Sequence, residues 1–422
     1  MRRLVFLLFL ALPLAAETRV TLLHFSDYHS HALPFYTDEG ERGGIARAIG
    51  YLKAEKRRGA LVFNGGDTMN IGAPAWSDKY QCAEWSWLNG IVDAMAFGHH
   101  DADYGFAQFE RCKAQVRYPI LSANTNGFPR YTVLKANGVR IGVFAVAGAD
   151  FPQLVKVPEL KFGNALETAR EVVRELREDE QVAAVVMIGH QHTEDDYVLA
   201  KAVPGIDVIF GTHSHLKHEL TRIEHTATSF ISPSQYLTYI SRIELTFDGN
   251  RVTKVSGGLV PVDDRMRADR ATARRVKAMQ RELERDPKYS ALFVPIAKLD
   301  QPIGVEALAR RTLAVMRQVT NADVALSTHS SFRRPLPAGS ITPEALRAAL
   351  PYDNEIVVCE MKGADLQRAI DDEMYVSGPI DPEKTYRVAT TDYVAFVAKK
   401  LHCQRTGKKV RAELTSALVA DP

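Results

Sequence analysis

The residues of this chain best suited to chemistry stand in five short stretches, each following an apolar run. Asp27-Tyr28-His29 follows residues 20–25, and Gly65-Gly66-Asp67 follows residues 60–63. Gly98-His99-His100-Asp101-Ala102-Asp103 follows residues 92–97. Gly189-His190 follows residues 182–188, and Gly211-Thr212-His213-Ser214-His215 follows residues 206–210. Six of the 13 histidines stand at these places. Asp27, His29, Asp67, His190, His213 and His215 offer a carboxylate able to bridge two cations, a second carboxylate, and four imidazoles to complete the coordination. Two ions about 3.5–4 Å apart clamp the attacking and leaving oxygens in phosphate-ester hydrolysis. The nitrogen-rich mixture suits Mn, Fe or Zn better than Mg or Ca. Taken singly, His-x-His or Asp-x-His is more often surface or core, and Gly-Gly-Asp is a common turn. Their joint recurrence at the ends of apolar runs points to one site.

Such residues converge if the runs are strands of a shared sheet, because open α/β sheets carry their sites at strand carboxyl ends. From residue 18 to about 262 strand patterns alternate with helix patterns, for example residues 45–58 with Ile45, Ile49 and Leu52 on one face. Residues 106–116 and 166–176 read as helices of the same kind. Residues 228–232, 238–247 and 251–260 read as adjacent strands, with Asp248-Gly249-Asn250 as a hairpin turn. The predicted architecture is α/β, with two sheets sandwiched rather than one doubly wound sheet. Residues 263–288 are densely charged and read as an exposed connecting helix. Residues 289–415 repeat the mixed pattern as a second, smaller α+β domain, with helices at 305–319, 342–350 and 364–374 and strands at 322–326, 355–361 and 386–389.

The 422 residues are 46% hydrophobic, enough for two to three cored domains. The net charge of +2 is matched by Arg2 and Arg3 alone, so the remainder is balanced and gives no reason to expect a nucleic acid polymer as partner. Residues 1–16 read as a signal peptide, with a basic start, an apolar run over 4–14 and then Ala15-Ala16. The run is too short to span a bilayer easily. Leu14 is large for the position three before a cleavage site, so an uncleaved anchor is the alternative. Cleavage would give a periplasmic or secreted protein with no stable membrane insertion. Four cysteines in an exported chain permit two disulfides. Cys82–Cys112 and Cys359–Cys403 keep each bridge within one domain and are preferred over isolated thiols.

The ordered set of motifs resembles the calcineurin-like metallophosphoesterases, and within them the 5′-nucleotidase family with its second, C-terminal domain. The resemblance rests on Asp27-Tyr28-His29, Gly66-Asp67, residues 98–105, His190 and His213-Ser214-His215. Gly43-Gly44-Ile45-Ala46-Arg47, Ser122-Ala123-Asn124 and residues 204–209 support it. It implies a four-layer α-β-β-α sandwich over 18–262, a linker helix over 263–288 and a 5′-nucleotidase-like domain over 289–415. It implies two divalent metal ions as cofactors. Asp27, His29, Asp67 and His215 would hold one, and Asp67, His99, His190 and His213 the other, with Asp67 bridging. His100 would be the catalytic histidine and Asp103 would orient it. Water or hydroxide on the metal would be the nucleophile. The family has Asn where this chain has His99, whose longer arm would shift the ion, favour a softer metal, or turn away. The Glu after the catalytic histidine is Asp101 here, a mild change.

The second domain follows the family less closely. Gly339-Ser340-Ile341-Thr342 and Leu350-Pro351-Tyr352 match, whereas residues 328–333 lack the family's glycines and a later Gly-Gly-Asp-Gly-aromatic motif is absent. Of the substrate-binding positions, Arg333 and Tyr352 carry over; Phe396 near the missing motif reads as core. The implied activity is hydrolysis of a small phosphate ester or nucleotide, by a 5′-nucleotidase or 2′,3′-cyclic-nucleotide phosphodiesterase reaction. One rival is the thiosulfate-cleaving branch of the fold, which replaces the catalytic histidine retained here as His100. The other is a degenerate metal- or ligand-binding protein, which would have no need of a His100–Asp103 pair.

Overall fold

Alternation along the strand Thr18–Phe25 sets up the layers. Val20 and Leu22 face one core, Leu23 and Phe25 another. The computed structural model describes residues 17–71, 74–372, 374–399 and 401–420, so the expected signal peptide, residues 1–16, lies outside the described residues. The first sheet runs Arg251–Pro261, Tyr239–Asp248, Thr18–Phe25, Leu61–Asn64, Ala94–Ala96, Ile120–Leu121. Its last four strands are parallel. The second runs Lys217–Arg222, Ser229–Pro233, Val208–Phe210, Ala184–Met187, Val139–Phe144, Tyr131–Ala136, with four parallel strands between antiparallel edges.

Leu22, Phe63 and Ala96 meet Val143, Val186 and Phe210 between the sheets. Ile49 and Leu52 of the helix Ile45–Lys56, with Trp85 and Phe109, cover the outer face of the first sheet. The helices Ala165–Arg174 and Thr193–Ala202 cover the second. This is the four-layer α-β-β-α sandwich. Each fully buried Phe or Leu in it contributes about 1.5–3 kcal/mol. The smaller C-terminal domain has one five-stranded sheet, Met374–Val376, Val324–Thr328, Thr385–Thr391, Glu355–Lys362, Gln404–Lys409. The helices Val305–Thr320 and Val410–Ala420 close its core through Leu308, Leu313, Met316, Leu414 and Leu418. Both expected disulfides form. No helix among the described residues is long and apolar enough to cross a membrane.

Three expectations about elements need correction. Ser229–Pro233 is not beside Tyr239–Asp248; it pairs with Val208–Phe210, and the chain crosses between sheets after Pro233. Residues 364–374 are not one helix, because the helix Gly363–Ala369 stops and Met374–Val376 joins the sheet. The charged helix Arg270–Arg285 does not stand free, since Val276 and Leu283 are buried in the first domain's core.

Asp269 caps that helix. Its carboxylate accepts the Thr272 N–H (2.9 Å) and pairs with Lys53 Nζ (3.0 Å), which brings its pKa down to about 2, chiefly through the Thr272 bond. Asp269→Ala is expected to cost about 1 kcal/mol in denaturant unfolding at neutral pH. Because the folded pKa is depressed, the capping contribution is full above the unfolded value of about 4 and is lost as the pH falls through about 2. The difference between wild type and variant should therefore shrink over that interval.

Candidate metal centre

The parallel strands of both sheets end at the same edge of the sandwich, and the loops leaving them carry the expected residues. Asp27 and His29 follow Thr18–Phe25, Asp67 follows Leu61–Asn64, and His99, His100 and Asp103 follow Ala94–Ala96. His190 follows Ala184–Met187, and His213 and His215 follow Val208–Phe210. Glycines let the loops approach closely, Gly66 and Gly98 among them. A Cβ at Gly98 would stand 2.2 Å from Asp67 Oδ1, and one at Gly66 would stand 2.7 Å from the Gly98 nitrogen. Asp101 staples the same loops, accepting the N–H groups of Asp67 (3.1 Å), Thr68 (2.8 Å) and Gly98 (2.9 Å). Burial and the nearby Asp67 charge push its carboxyl up to about 7.

Backbone strain is concentrated here. Asp27, His29, Asp67, His213 and His215 all have φ between 46° and 58°, a left-handed region costly for residues other than glycine. Such strain, of order 1–3 kcal/mol per residue, persists where the surroundings over-determine the chain.

The structure brings all seven expected ligands together. The ligand atoms of Asp67, His99, His190 and His213 lie within 4.8 Å of one another, as do those of Asp27, His29 and His215. Asp67 is fully buried and sits between the two groups. Its Oδ2 is 3.1 Å from His190 Nε2, 3.2 Å from His99 Nδ1 and 4.0 Å from His29 Nε2. Its Oδ1 accepts the His100 backbone N–H at 2.9 Å. His99 is therefore turned inward, against the alternative that it swings away. His215 Nε2 is 3.3 Å from Asp27 Oδ1.

Carbonyl groups only accept, and this fixes two tautomers. His29 Nδ1–H donates to the Met69 carbonyl (3.1 Å) and His190 Nδ1–H to the Gly65 carbonyl (2.7 Å), so each presents Nε2 to the cluster. Asp27 Oδ1, Asp67 Oδ2, His99 Nδ1, His190 Nε2 and His213 Nδ1 are buried without a hydrogen-bond partner. Five unsatisfied atoms of ligating type in one place would be costly in a site meant to stay dry and empty. They fit divalent cations.

His100 Nδ1–H donates to Asp103 Oδ2 at 2.6 Å, leaving Nε2 free. Burial opposes charge on this ring, but Asp67 and Asp103 outweigh it and push the pKa up to about 10. Asp103 also accepts the Ile71 N–H at 2.9 Å.

Arg333 reaches across from the second domain to His215 Nδ1 and to Gln235 Oε1 (3.2 Å), with the Tyr352 ring 5.9 Å from its guanidinium. Tyr352 is 40% exposed. Phe396 is 38% exposed, with the Arg405 guanidinium 5.2 Å from its ring, so it is not core.

Two further side chains, Asp150 and His192, were missed by the sequence reading. Asp150, in the loop after Val139–Phe144, accepts from His213 Nε2 at 2.9 Å and lies 3.4 Å from His192 Nε2. Against the cost of burial, these two histidines hold its carboxyl well below the ordinary range. The available signal was the apolar run 141–147 followed by Gly148-Ala149-Asp150, the same layout as the other five stretches.

Residues 20–217 match the family model of calcineurin-like phosphoesterases, and residues 300–378 that of the 5′-nucleotidase C-terminal domain. The protein UshA of Yersinia enterocolitica is 24% identical over 472 residues, spanning 89% of this chain and 85% of that protein. A 5′-nucleotidase precursor from Thermus thermophilus superposes with a TM-score of 0.75 at 21% identity, covering 96% of both chains. The sulfate thiohydrolase SoxB of Thermus thermophilus also superposes at 0.75, with 19% identity, 95% of this chain and 94% of that one. At these identities the two structures speak for the fold. The chain belongs to the calcineurin-like phosphoesterases, metal-dependent phosphoester hydrolases, in the form that carries a 5′-nucleotidase C-terminal domain.

Proposed function

We propose that the protein is an exported nucleotide hydrolase with a two-ion centre, acting as a 5′-nucleotidase or a 2′,3′-cyclic-nucleotide phosphodiesterase. The observation that carries this reading is the pair of ligand groups around buried Asp67, with His100 and Asp103 at their side. Asp27, His29, Asp67 and His215 would hold one Mn, Zn or Fe ion; Asp67, His99, His190 and His213 would hold the other. When bound, such ions neutralise phosphoryl charge and lower the pKa of water.

The chain's own groups do the rest. Asp67 takes the His100 N–H and fixes the catalytic loop. Asp103 holds the His100 ring through Nδ1, so that Nε2 can carry a proton to the leaving oxygen. Arg333 brings a cation to the site from the second domain, and Tyr352 offers an exposed ring on which a base can stack. The names of relatives, UshA aside, include several 5′-nucleotidases, which favours nucleotides among phosphate esters.

The test is a substrate panel with added Mn, Zn or Co: nucleoside 5′-monophosphates, 2′,3′-cyclic nucleotides, an aryl phosphate and a thiosulfonate ester. Preference for a nucleotide over the aryl ester supports the reading. Turnover of the sulfur ester alone would transfer the site to the chemistry named in the SoxB neighbour, and retained His100 argues against that result.

A further inference from the structure

We propose that Asp150 is a positioning residue for the metal centre: it holds the Nε2–H of His213 and leaves the Nδ1 lone pair of that ring for the ion shared with Asp67, His99 and His190. The inference rests on the two-ion reading above. A neutral imidazole has one N–H, and an ionised carboxylate can only accept. The 2.9 Å contact between His213 Nε2 and Asp150 Oδ2 therefore puts the proton on Nε2. Nδ1 is left as an acceptor, and it is buried with no partner. Without Asp150, the ring would be free to carry its proton on Nδ1, which cannot then ligate.

The carboxylate is itself fixed. Asn124 clamps Ala147 from both sides, accepting its N–H (2.8 Å) and donating to its carbonyl (3.0 Å). Gly148 N–H donates to the His190 carbonyl (2.9 Å), and His190 N–H to the Val146 carbonyl (2.8 Å), tying the loop to another ligand. Phe151, the next residue, is fully buried against the His99, His190 and His213 rings. His192 approaches the same Asp150 oxygen, but from farther away (3.4 Å) and half exposed, so His213 has the stronger bond.

The experiment is calorimetric titration of the chelator-stripped full chain with Zn, for wild type, D150A, D150N and H192A, with melting of each metal-free protein as the check on folding. Wild type should take two ions. D150A should weaken one of them about 10- to 100-fold and leave the other unchanged. D150N keeps the side-chain shape and a neutral acceptor, and should fall between, since a charge-assisted bond is roughly twice as strong. H192A loses only the longer contact to Asp150 (3.4 Å) and should weaken that ion less than D150A does. Folded D150A binding both ions as wild type does would overturn the assignment; if D150A does not fold, wild-type binding by D150N would do so. A wild type that takes up no ion would overturn the two-ion reading instead, an outcome visible before any variant is measured.

Discussion

His100→Ala is expected to lower kcat by about 10²- to 10⁴-fold on nucleotide substrates, with ion binding retained. The residue touches the centre through its backbone N–H, which donates to Asp67 Oδ1 and survives the substitution. The variant loses an imidazole whose Nδ1–H donates to Asp103 at 2.6 Å, a carboxylate outside the proposed ligand sets. Its proton would go to the departing oxygen, so the loss should be smallest for an aryl phosphate with a good leaving group. Steady-state kinetics on both ester types checks this. An equal loss on both would point to a role in charge stabilisation rather than proton donation.

Asp67→Asn is expected to have the larger effect on the ions. Asp67 is fully buried and offers one oxygen to His190, His99 and His29 while the other takes the His100 N–H. The amide keeps the shape but loses the charge that balances the cations, and its nitrogen cannot ligate. Ion affinity should fall by more than the roughly 100-fold reached when an outer-shell partner is lost. Turnover should fall to background with it. Metal analysis after gel filtration, beside the unfolding curve of the metal-free variant, separates loss of ions from loss of fold. A variant that kept two ions would remove Asp67 from the bridging position.

The grouping of the candidate ligands was legible wherever they came as a local pattern. Asp27-x-His29, His99-His100 and His213-x-His215 stand within a few residues of strand ends, and apolar runs before them marked the strands. Asp150 shares the layout of an apolar run followed by a turn, but a lone Asp after Gly148 and Ala149 has no second ligand type beside it, and its partner His213 is 63 residues away. The sheet change after Ser229–Pro233 was hidden for a related reason. Ser234, Tyr236 and Leu237 turn the chain with positive φ, and none is a residue type that signals such a turn. Phe396 was read as core from its type, but the irregular segment that follows Thr385–Thr391 leaves it partly open beside Arg405. His99 kept its place in the cluster because its Nδ1 reaches Asp67 from the position where the resembled family has an amide.

The most direct measurement is the number of ions per chain against phosphoesterase activity as Mn or Zn is returned to the chelator-stripped protein. Two ions per chain, with turnover of a phosphate ester appearing only as the second is bound, is the predicted result. Full turnover in the stripped protein, or saturation below one ion per chain, would contradict a two-ion hydrolase built around Asp67.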